Sequence, residues 1–323
     1  MHTERLWAAV VLGALLAMWF LHRLLPSPRS MHDSVKNNVF NISTVYIIAL
    51  QPVPALKEKA SWVLGVTDVR VFPAVNASEA MRLAFDELPL YTKLLMEQGV
   101  RHDHMQLSSG PMLGCLLSHM SLWKQVPPGA VVAVLEEDAV LDATSTDRIR
   151  ALWQDLQQTT AWDLIMLESG QATATGEWRY VGEVAATCAY RWQRPAALDD
   201  EVGLYDYYYR YYLTNNRTRG SVCTWQGSRG YLLSHRGAQM LLRCAHPMMV
   251  QVDALMGLVA TFEPGFGMFW PRVDVVHKNL LHISTIWDGC LKCYMPGTSV
   301  FFLVTLVLFL TCVCGVGTYI KLA

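Results

Sequence analysis

Residues 131–138 read Val-Val-Ala-Val-Leu-Glu-Glu-Asp, which is five apolar residues followed directly by three acids. The apolar run is typical of a strand that is buried on both faces, as in a parallel sheet. Open parallel sheets bind their ligands outside the carboxyl ends of the strands, where these acids would lie. Neighbouring carboxylates repel each other unless a cation neutralises them. Two interpretations are open: a divalent cation site at the sheet edge, or solvated charge at the end of a strand.

Strand and helix patterns alternate on both sides of this stretch. Short apolar runs predict strands, and apolar residues at helical spacing predict helices. Strands are predicted at residues 44–50, 69–72, 162–167 and 230–233, and helices at 57–64, 78–88 (with Ser78 as its cap), 114–126, 149–156 and 236–244. This alternation predicts an α/β fold in which helices flank a mostly parallel sheet.

The chain is more apolar than an ordinary soluble domain. Of its 323 residues 52% are hydrophobic and 16% charged, and the net charge of −1 gives no reason to expect a nucleic-acid partner. The apolar excess lies in uncharged runs at 6–21 and 298–320, and a bilayer span needs about 20 residues. We therefore expect an uncleaved signal anchor at 1–25, a stem at 26–43, a folded domain at 44–295 and a transmembrane segment at 298–320. A removed anchor signal is the alternative for the last segment.

Sequons and cysteines favour a lumenal position for the folded domain. Triplets that begin at Asn41, Asn76 and Asn216 fit the pattern for N-glycosylation. The domain holds an even number of cysteines, six, which can pair in an oxidising compartment. Basic residues follow the first apolar run, however, and the positive-inside rule would then keep the domain cytosolic. We expect a lumenal domain at the membrane of the Golgi or the endoplasmic reticulum, with a cytosolic domain as the alternative.

Five motifs resemble those of glycosyltransferase family 25 and follow one another in the family's order. They are GCLLSH at 114–119, VLEED at 134–138, WDLIML at 162–167, GYLLSHRGAQMLL at 230–242 and QVD at 251–253. The family includes bacterial lipooligosaccharide galactosyltransferases and collagen hydroxylysine galactosyltransferases. The resemblance implies a GT-A-like fold and inverting transfer of a hexose from a nucleotide sugar to a hydroxyl group of a glycan or protein.

The resemblance also assigns roles to the three acids. The family's Leu-Glu-Asp-Asp falls on residues 135–138, so Glu137 stands where the family has its first aspartate. Asp138 and Glu137 are expected to hold Mn²⁺ or Mg²⁺ at the diphosphate of a UDP-sugar such as UDP-galactose. Glu137 is also expected to be a catalytic residue. Glu136 is expected to contact the donor.

Ser118, His119 and Asp253 complete the predicted site. The Ser118–His119 pair matches the family's serine-histidine pair and interrupts an apolar helix face, so we expect it to contact the donor. Asp253 is expected to be the base that takes the proton of the acceptor hydroxyl. Each residue also has a structural alternative. His119 would be a buried histidine, Ser118 a serine bonded to the preceding helical turn, and Asp253 the cap of a helix at 254–261.

Other features leave questions open. The first predicted strand continues as Ala-Leu-Gln-Pro-Val-Pro at 49–54, where the family has Asn-Leu-Asp, and Glu137 is one methylene longer than aspartate. An inactive relative that serves as a membrane-bound sugar-binding or scaffold protein is therefore the alternative function. The tyrosine-rich stretch at 204–213 is either an acceptor loop or ordinary packing, and His277 and His282 are further candidates for a metal or diphosphate contact.

Overall fold

The computed structural model describes residues 38–99, 105–157, 161–169, 178–188 and 227–278. Within them the strands are β1 Thr44–Ala49, β2 Val69–Pro73, β3 Val131–Glu136, β4 Ala139–Val140, β5 Leu164–Met166, β6 Trp178–Val181, β7 Ala185–Cys188, β8 Gly230–Ser234, β9 Met268–Pro271 and β10 His277–Lys278. The α-helices are α1 Pro54–Leu64, α2 Ala77–Ala84, α3 Leu90–Gln98, α4 Gly110–Trp123, α5 Ser145–Leu156, α6 His235–Cys244 and α7 Val252–Phe262.

Eight strands form one sheet in the order β2-β1-β3-β8-β5-β9-β7-β6. Six of these strands run in one direction, whereas β7 and β8 run against their neighbours. The carboxyl ends of β3 and β5 therefore lie at the same edge, on either side of the start of β8. The predicted α/β fold with a large, mostly parallel sheet and flanking helices is confirmed.

Two apolar layers cover the faces of the sheet. Successive side chains of a strand point to opposite faces, so Val45 and Ile47 of β1 enter one layer while Tyr46 and Ile48 enter the other. Helices α1 and α5 pack on the first face, and α2, α4, α6 and α7 pack on the second. Because both faces are covered, the strands are continuous apolar runs, which is why the sequence pattern predicts them.

Helix starts differ from the predicted positions. Helix α4 begins at Gly110, four residues before the predicted start, because a proline in its first turn is compatible with helical backbone. The predicted cap of α2 is wrong: Asn76, in extended backbone, accepts the Glu79 N–H at 2.9 Å, and Ser78 only donates to the Asn76 side chain. Helix α7 begins after Gln251, so Asp253 lies in its first turn and is not its cap.

Several predictions fall on residues that the structure does not describe. These are both predicted membrane segments, the tyrosine-rich stretch at 204–213, Asn216 and His282. Among the described residues, no helix combines the length and the apolar character needed to span a bilayer.

Candidate functional site

The three acids at the end of β3 make different contacts. Glu136, the last residue of the strand, accepts hydrogen bonds at Oε1 from Ser228 Oγ and from His119 Nε2, the latter at 3.2 Å. Glu137 Oε2 accepts the backbone N–H of Leu50 at 3.0 Å and so ties the turn after β3 to the end of β1. Oδ1 of Asp138 is buried. The acidic stretch is therefore built into the sheet edge, and simple solvated charge does not describe it.

His119 lies fully buried between Glu136 and two aromatic residues. Its Nδ1 is 2.7 Å from the hydroxyl of Tyr231, which also accepts the indole N–H of Trp123 at 2.9 Å. An ionised carboxylate only accepts hydrogen bonds, so Nε2–H donates to Glu136 and the Tyr231 O–H is left to donate to Nδ1. Helix α4 makes this arrangement possible because Cys115, His119 and Trp123 are spaced four residues apart and share one face.

Glu136 is held in its ionised form by these neighbours. Burial alone would raise the pKa of Glu136, but the hydrogen bonds from His119 and Ser228 and the charge of Arg229 bring that pKa below its usual value. The side chain is 20% exposed. Glu136 thus presents a carboxylate at the sheet edge while its other contacts fix it to α4 and β8.

Residues 227–229, which lead into β8, each bond one acid of the site. The Gly227 N–H donates to Asp253 Oδ2 at 2.9 Å, Ser228 donates to Glu136, and Arg229 donates to Glu168. Gly227 has φ +101°, and a Cβ there would lie 2.8 Å from the Glu168 carboxylate, so both the backbone and the space favour glycine. We call residues 227–229 the acid-binding segment.

Glu168 is a site residue that the sequence pattern did not single out. Its Oε1 accepts the Arg229 N–H at 2.7 Å and its Oε2 lies 2.9 Å from Arg229 Nη1. Burial raises the pKa of Glu168 to about 8 against the pull of Arg229, and the charges of Glu136 and Asp138 add to the rise. One signal could have found it: Glu168 directly follows the apolar run predicted as a strand at 162–167, just as the acidic triplet follows the apolar run at 131–135.

Asp253 lies beside the acid-binding segment, in the first turn of α7. Only 8% of the residue is exposed, and its two oxygens accept the N–H groups of Gly227 at 2.9 Å and Ala254 at 2.7 Å. The positive end of the helix dipole favours a carboxylate at this position. The structure thus brings Asp253 to the same edge as Glu136.

The charges of three acids of the site act on Cys115. Burial raises the pKa of its thiol well above the ordinary value, and the charges of Glu136, Asp253 and Asp138 raise it further. Its sulfur, a ring nitrogen of His119 and a carboxylate oxygen of Glu136 all lie within 4.8 Å of one another. The edge therefore holds several carboxylates and, sharing Glu136 with them, a sulfur, nitrogen and oxygen group.

Ser118 contacts the loop that follows β2. Its hydroxyl donates to Gly114 O at 2.6 Å and accepts the Val75 N–H at 2.8 Å. Gly114 allows the close approach, since a Cβ there would lie 2.4 Å from Val75 O. Ser118 therefore fixes the loop between β2 and α2, and its contact with a donor stays a prediction.

The remaining predicted residues within the described ranges are Asn41, Asn76 and His277. Asn41 and Asn76 are exposed, which makes both accessible for glycosylation. His277, on β10, pairs with Val140 of β4, and its Nε2 lies 3.0 Å from Asp142 Oδ2 and 2.8 Å from Arg148 Nη1.

Comparisons with known proteins identify the family of the chain. Residues 42–256 match the sequence model of the family described as glycosyltransferase family 25 (LPS biosynthesis protein). A human protein named inactive glycosyltransferase 25 family member 3 is 26% identical over 166 residues, which are 48% of this chain. The match spans about a quarter, 26%, of that relative's length. Because the family match covers more than half of the chain, including α4 and the acids, the chain belongs to glycosyltransferase family 25.

Proposed function

We propose that the protein transfers a hexose, galactose in the first instance, from a UDP-sugar to a hydroxyl group of a glycan or protein acceptor, with inversion at the anomeric carbon. The observation that carries the proposal is the gathering of Glu136, Glu168 and Asp253 on the acid-binding segment, at the edge where α/β sheets bind ligands. Family membership supports a nucleotide-sugar donor.

The carboxylates fit a hard divalent cation. Mn²⁺ and Mg²⁺ prefer oxygen ligands, and Asp138, Glu136 and Asp253 all lie close enough for their charges to act on Cys115. Asp138 would hold the ion together with Glu137 or Glu136. The ion would neutralise charge on the departing diphosphate. Glu137 would in addition keep the end of β1 in place beneath the donor through its bond to Leu50.

Asp253 is the proposed catalytic base. Inverting transfer needs a base that takes the acceptor proton while the hydroxyl oxygen attacks the anomeric carbon from the face opposite the diphosphate. Asp253 lies at the acid-rich edge and is held by two backbone N–H groups. His119 would position Glu136 toward the donor, and Ser118 would act on the donor side through the loop at Val75.

A panel of labelled UDP-sugars with Mn²⁺ tests the proposal. We expect one hexose to be transferred, and Asp138→Asn to lower transfer by at least about a hundredfold, a usual loss for an electrostatic contact made in the transition state. Asp147→Asn is the matched control, because Asp147 is 77% exposed on α5. Full activity of Asp138→Asn would overturn the metal assignment.

A membrane-bound lumenal position is part of the proposal. The apolar runs at 6–21 and 298–320 would anchor the chain at the Golgi or endoplasmic reticulum, with sugars on Asn41, Asn76 and Asn216. Glycosidase treatment of the protein from cells should increase its gel mobility, and replacing all three asparagines by glutamine should abolish the shift. An unchanged mobility would favour the cytosolic alternative.

An inactive sugar-binding or scaffold protein is the second candidate. Two observations favour it: the Glu137 carboxylate is already bonded to Leu50, and the human relative is named inactive. Calorimetry with UDP and Mn²⁺ separates the candidates. Binding together with turnover supports the transferase, binding without turnover of any UDP-sugar supports the inactive relative, and no binding contradicts both.

A further inference from the structure

We propose that Cys115, His119 and Glu136 form a second cation site, built for a softer divalent ion such as Zn²⁺, next to the donor-edge site, where Asp138 and Glu137 would then hold the other ion. The proposal does not depend on the transferase function. It rests on one sulfur, one nitrogen and one oxygen ligand that lie within 4.8 Å of one another.

The backbone brings these ligands together. Cys115 and His119 are one turn apart on the same face of α4, and Glu136 is the last residue of β3, which that face covers. In a tetrahedral zinc site with bonds of about 2.0–2.3 Å, ligand atoms lie about 3.3–3.8 Å apart. To reach this spacing the three atoms need to move by about an ångström. Side-chain rotation is sufficient for this movement, because Glu136 is partly exposed.

The ligand types select the ion. A thiolate and an imidazole favour Zn²⁺ over Mg²⁺ or Mn²⁺, and three protein ligands leave a fourth position for water or a substrate atom. On binding, the thiol proton of Cys115 leaves to solvent and Nε2 of His119 binds the ion. The ring proton then resides on Nδ1 and is donated to the Tyr231 oxygen, which has a lone pair besides the one that accepts Trp123.

Surrounding residues already support the ligands in the way that zinc sites require. The Tyr231 hydroxyl orients the His119 ring through Nδ1, and Ser228 orients the Glu136 carboxylate. Such outer hydrogen bonds fix the geometry of metal ligands and contribute to affinity. The bonds from Tyr231 and Ser228 would serve this purpose here.

Titration of the purified full-length chain with Co²⁺ alone, as a spectroscopic substitute for Zn²⁺, tests the site. We expect a sulfur-to-cobalt charge-transfer band that Zn²⁺ abolishes by displacement, and Cys115→Ser to bind one ion fewer per chain. Cys244→Ser is the matched control, since Cys244 is the other cysteine found free in the described residues. Cysteines elsewhere contribute equally to every variant, so the difference reports Cys115.

Two further readouts keep the test decisive. Asp138→Asn, which removes the proposed Mn²⁺ ligand, should leave the cobalt band unchanged, so that failure of the transferase proposal does not affect this one. If Cys115→Ser does not fold, alkylation of the unmutated chain replaces it: Zn²⁺ should slow iodoacetamide labelling of Cys115 at least tenfold and leave Cys244 unaffected. Full ion binding by a folded Cys115→Ser protein, or labelling of Cys115 at the same rate with Zn²⁺, would overturn the proposal.

Discussion

Arg229 holds Glu168 by two bonds, one from its backbone N–H at 2.7 Å and one from Nη1 at 2.9 Å. The pair joins the carboxyl end of β5 to the start of β8 across the site. Only 6% of Glu168 is exposed, and the residue shares the edge with other acids. A buried carboxyl group among carboxylates keeps its proton more readily than the same group in water, so this pair should make the stability of the fold depend on pH.

Glu168→Gln should flatten the pH dependence of the free energy of unfolding. Burial raises the pKa of Glu168 from 4.5 to about 8, so between these pH values the folded protein holds a proton that the unfolded chain releases. Stability therefore falls as pH rises through this window, by up to about 1.4 kcal/mol per pH unit from this group alone. Urea unfolding at pH 5 and pH 8 should show a smaller loss in Glu168→Gln than in the unmutated protein. The exposed Glu58→Gln should behave as the unmutated protein does, and an equal pH dependence in Glu168→Gln would contradict the raised pKa.

Tyr231→Phe should lower the free energy of unfolding by about 2–4 kcal/mol. The hydroxyl is the partner of two buried groups, His119 Nδ1 and Trp123 Nε1, and each buried group left without its partner costs about 1–3 kcal/mol. Urea unfolding measures the change. Tyr180→Phe is the control, because Tyr180 is 46% exposed and a phenyl ring keeps its contact with Arg272. Equal stability of the two variants would show that the Tyr231 hydroxyl bonds are weak.

The sheet was predictable from the sequence because its strands are buried on both faces. Continuous apolar runs such as those in β1 and β3 are typical of strands covered by helices on both sides. The strands at one end of the sheet, β9, β7 and β6, have four residues each, too few for a periodic pattern to stand out. The start of α2 differs from the predicted position because a capping residue needs extended backbone, which Asn76 has and Ser78 lacks.

The site was predictable only in part, for a physical reason. An acid at the end of a buried strand is a local signal, and it pointed to Glu136, Glu137 and Asp138. The acid-binding segment has no such signal: Ser228 bonds a residue 92 positions away and Arg229 one 61 positions away. Contacts over such separations are set by strand order in the sheet, here by the insertion of β8 between β3 and β5.

Ser118→Ala should destabilise the fold by about 1–2 kcal/mol. The hydroxyl satisfies the Val75 N–H and is itself bonded to Gly114 O, and loss of a partner for a partly buried N–H costs about this amount. Urea unfolding gives the stability, with the exposed Ser78→Ala as control. Calorimetric UDP binding on the same variant tests the donor role: weaker UDP binding supports it, whereas unchanged binding restricts Ser118 to holding the loop.

Asp253→Asn should lower the rate of hexose transfer by about 10²–10⁴-fold while the KM for the UDP-sugar stays within about threefold. General-base catalysis contributes a factor of this size, and an amide cannot accept the acceptor's proton. The variant should fold, since the Asn carbonyl oxygen can still accept the N–H of Gly227 or Ala254. Initial rates across pH check the role, because loss of the base should also remove the acidic limb of the rate profile. Asp147→Asn, at the exposed acid on α5, should keep both rate and profile. A folded Asp253→Asn protein with an unchanged acidic limb would assign the base elsewhere, and Glu168, with its raised pKa at the same edge, would be the next residue to replace.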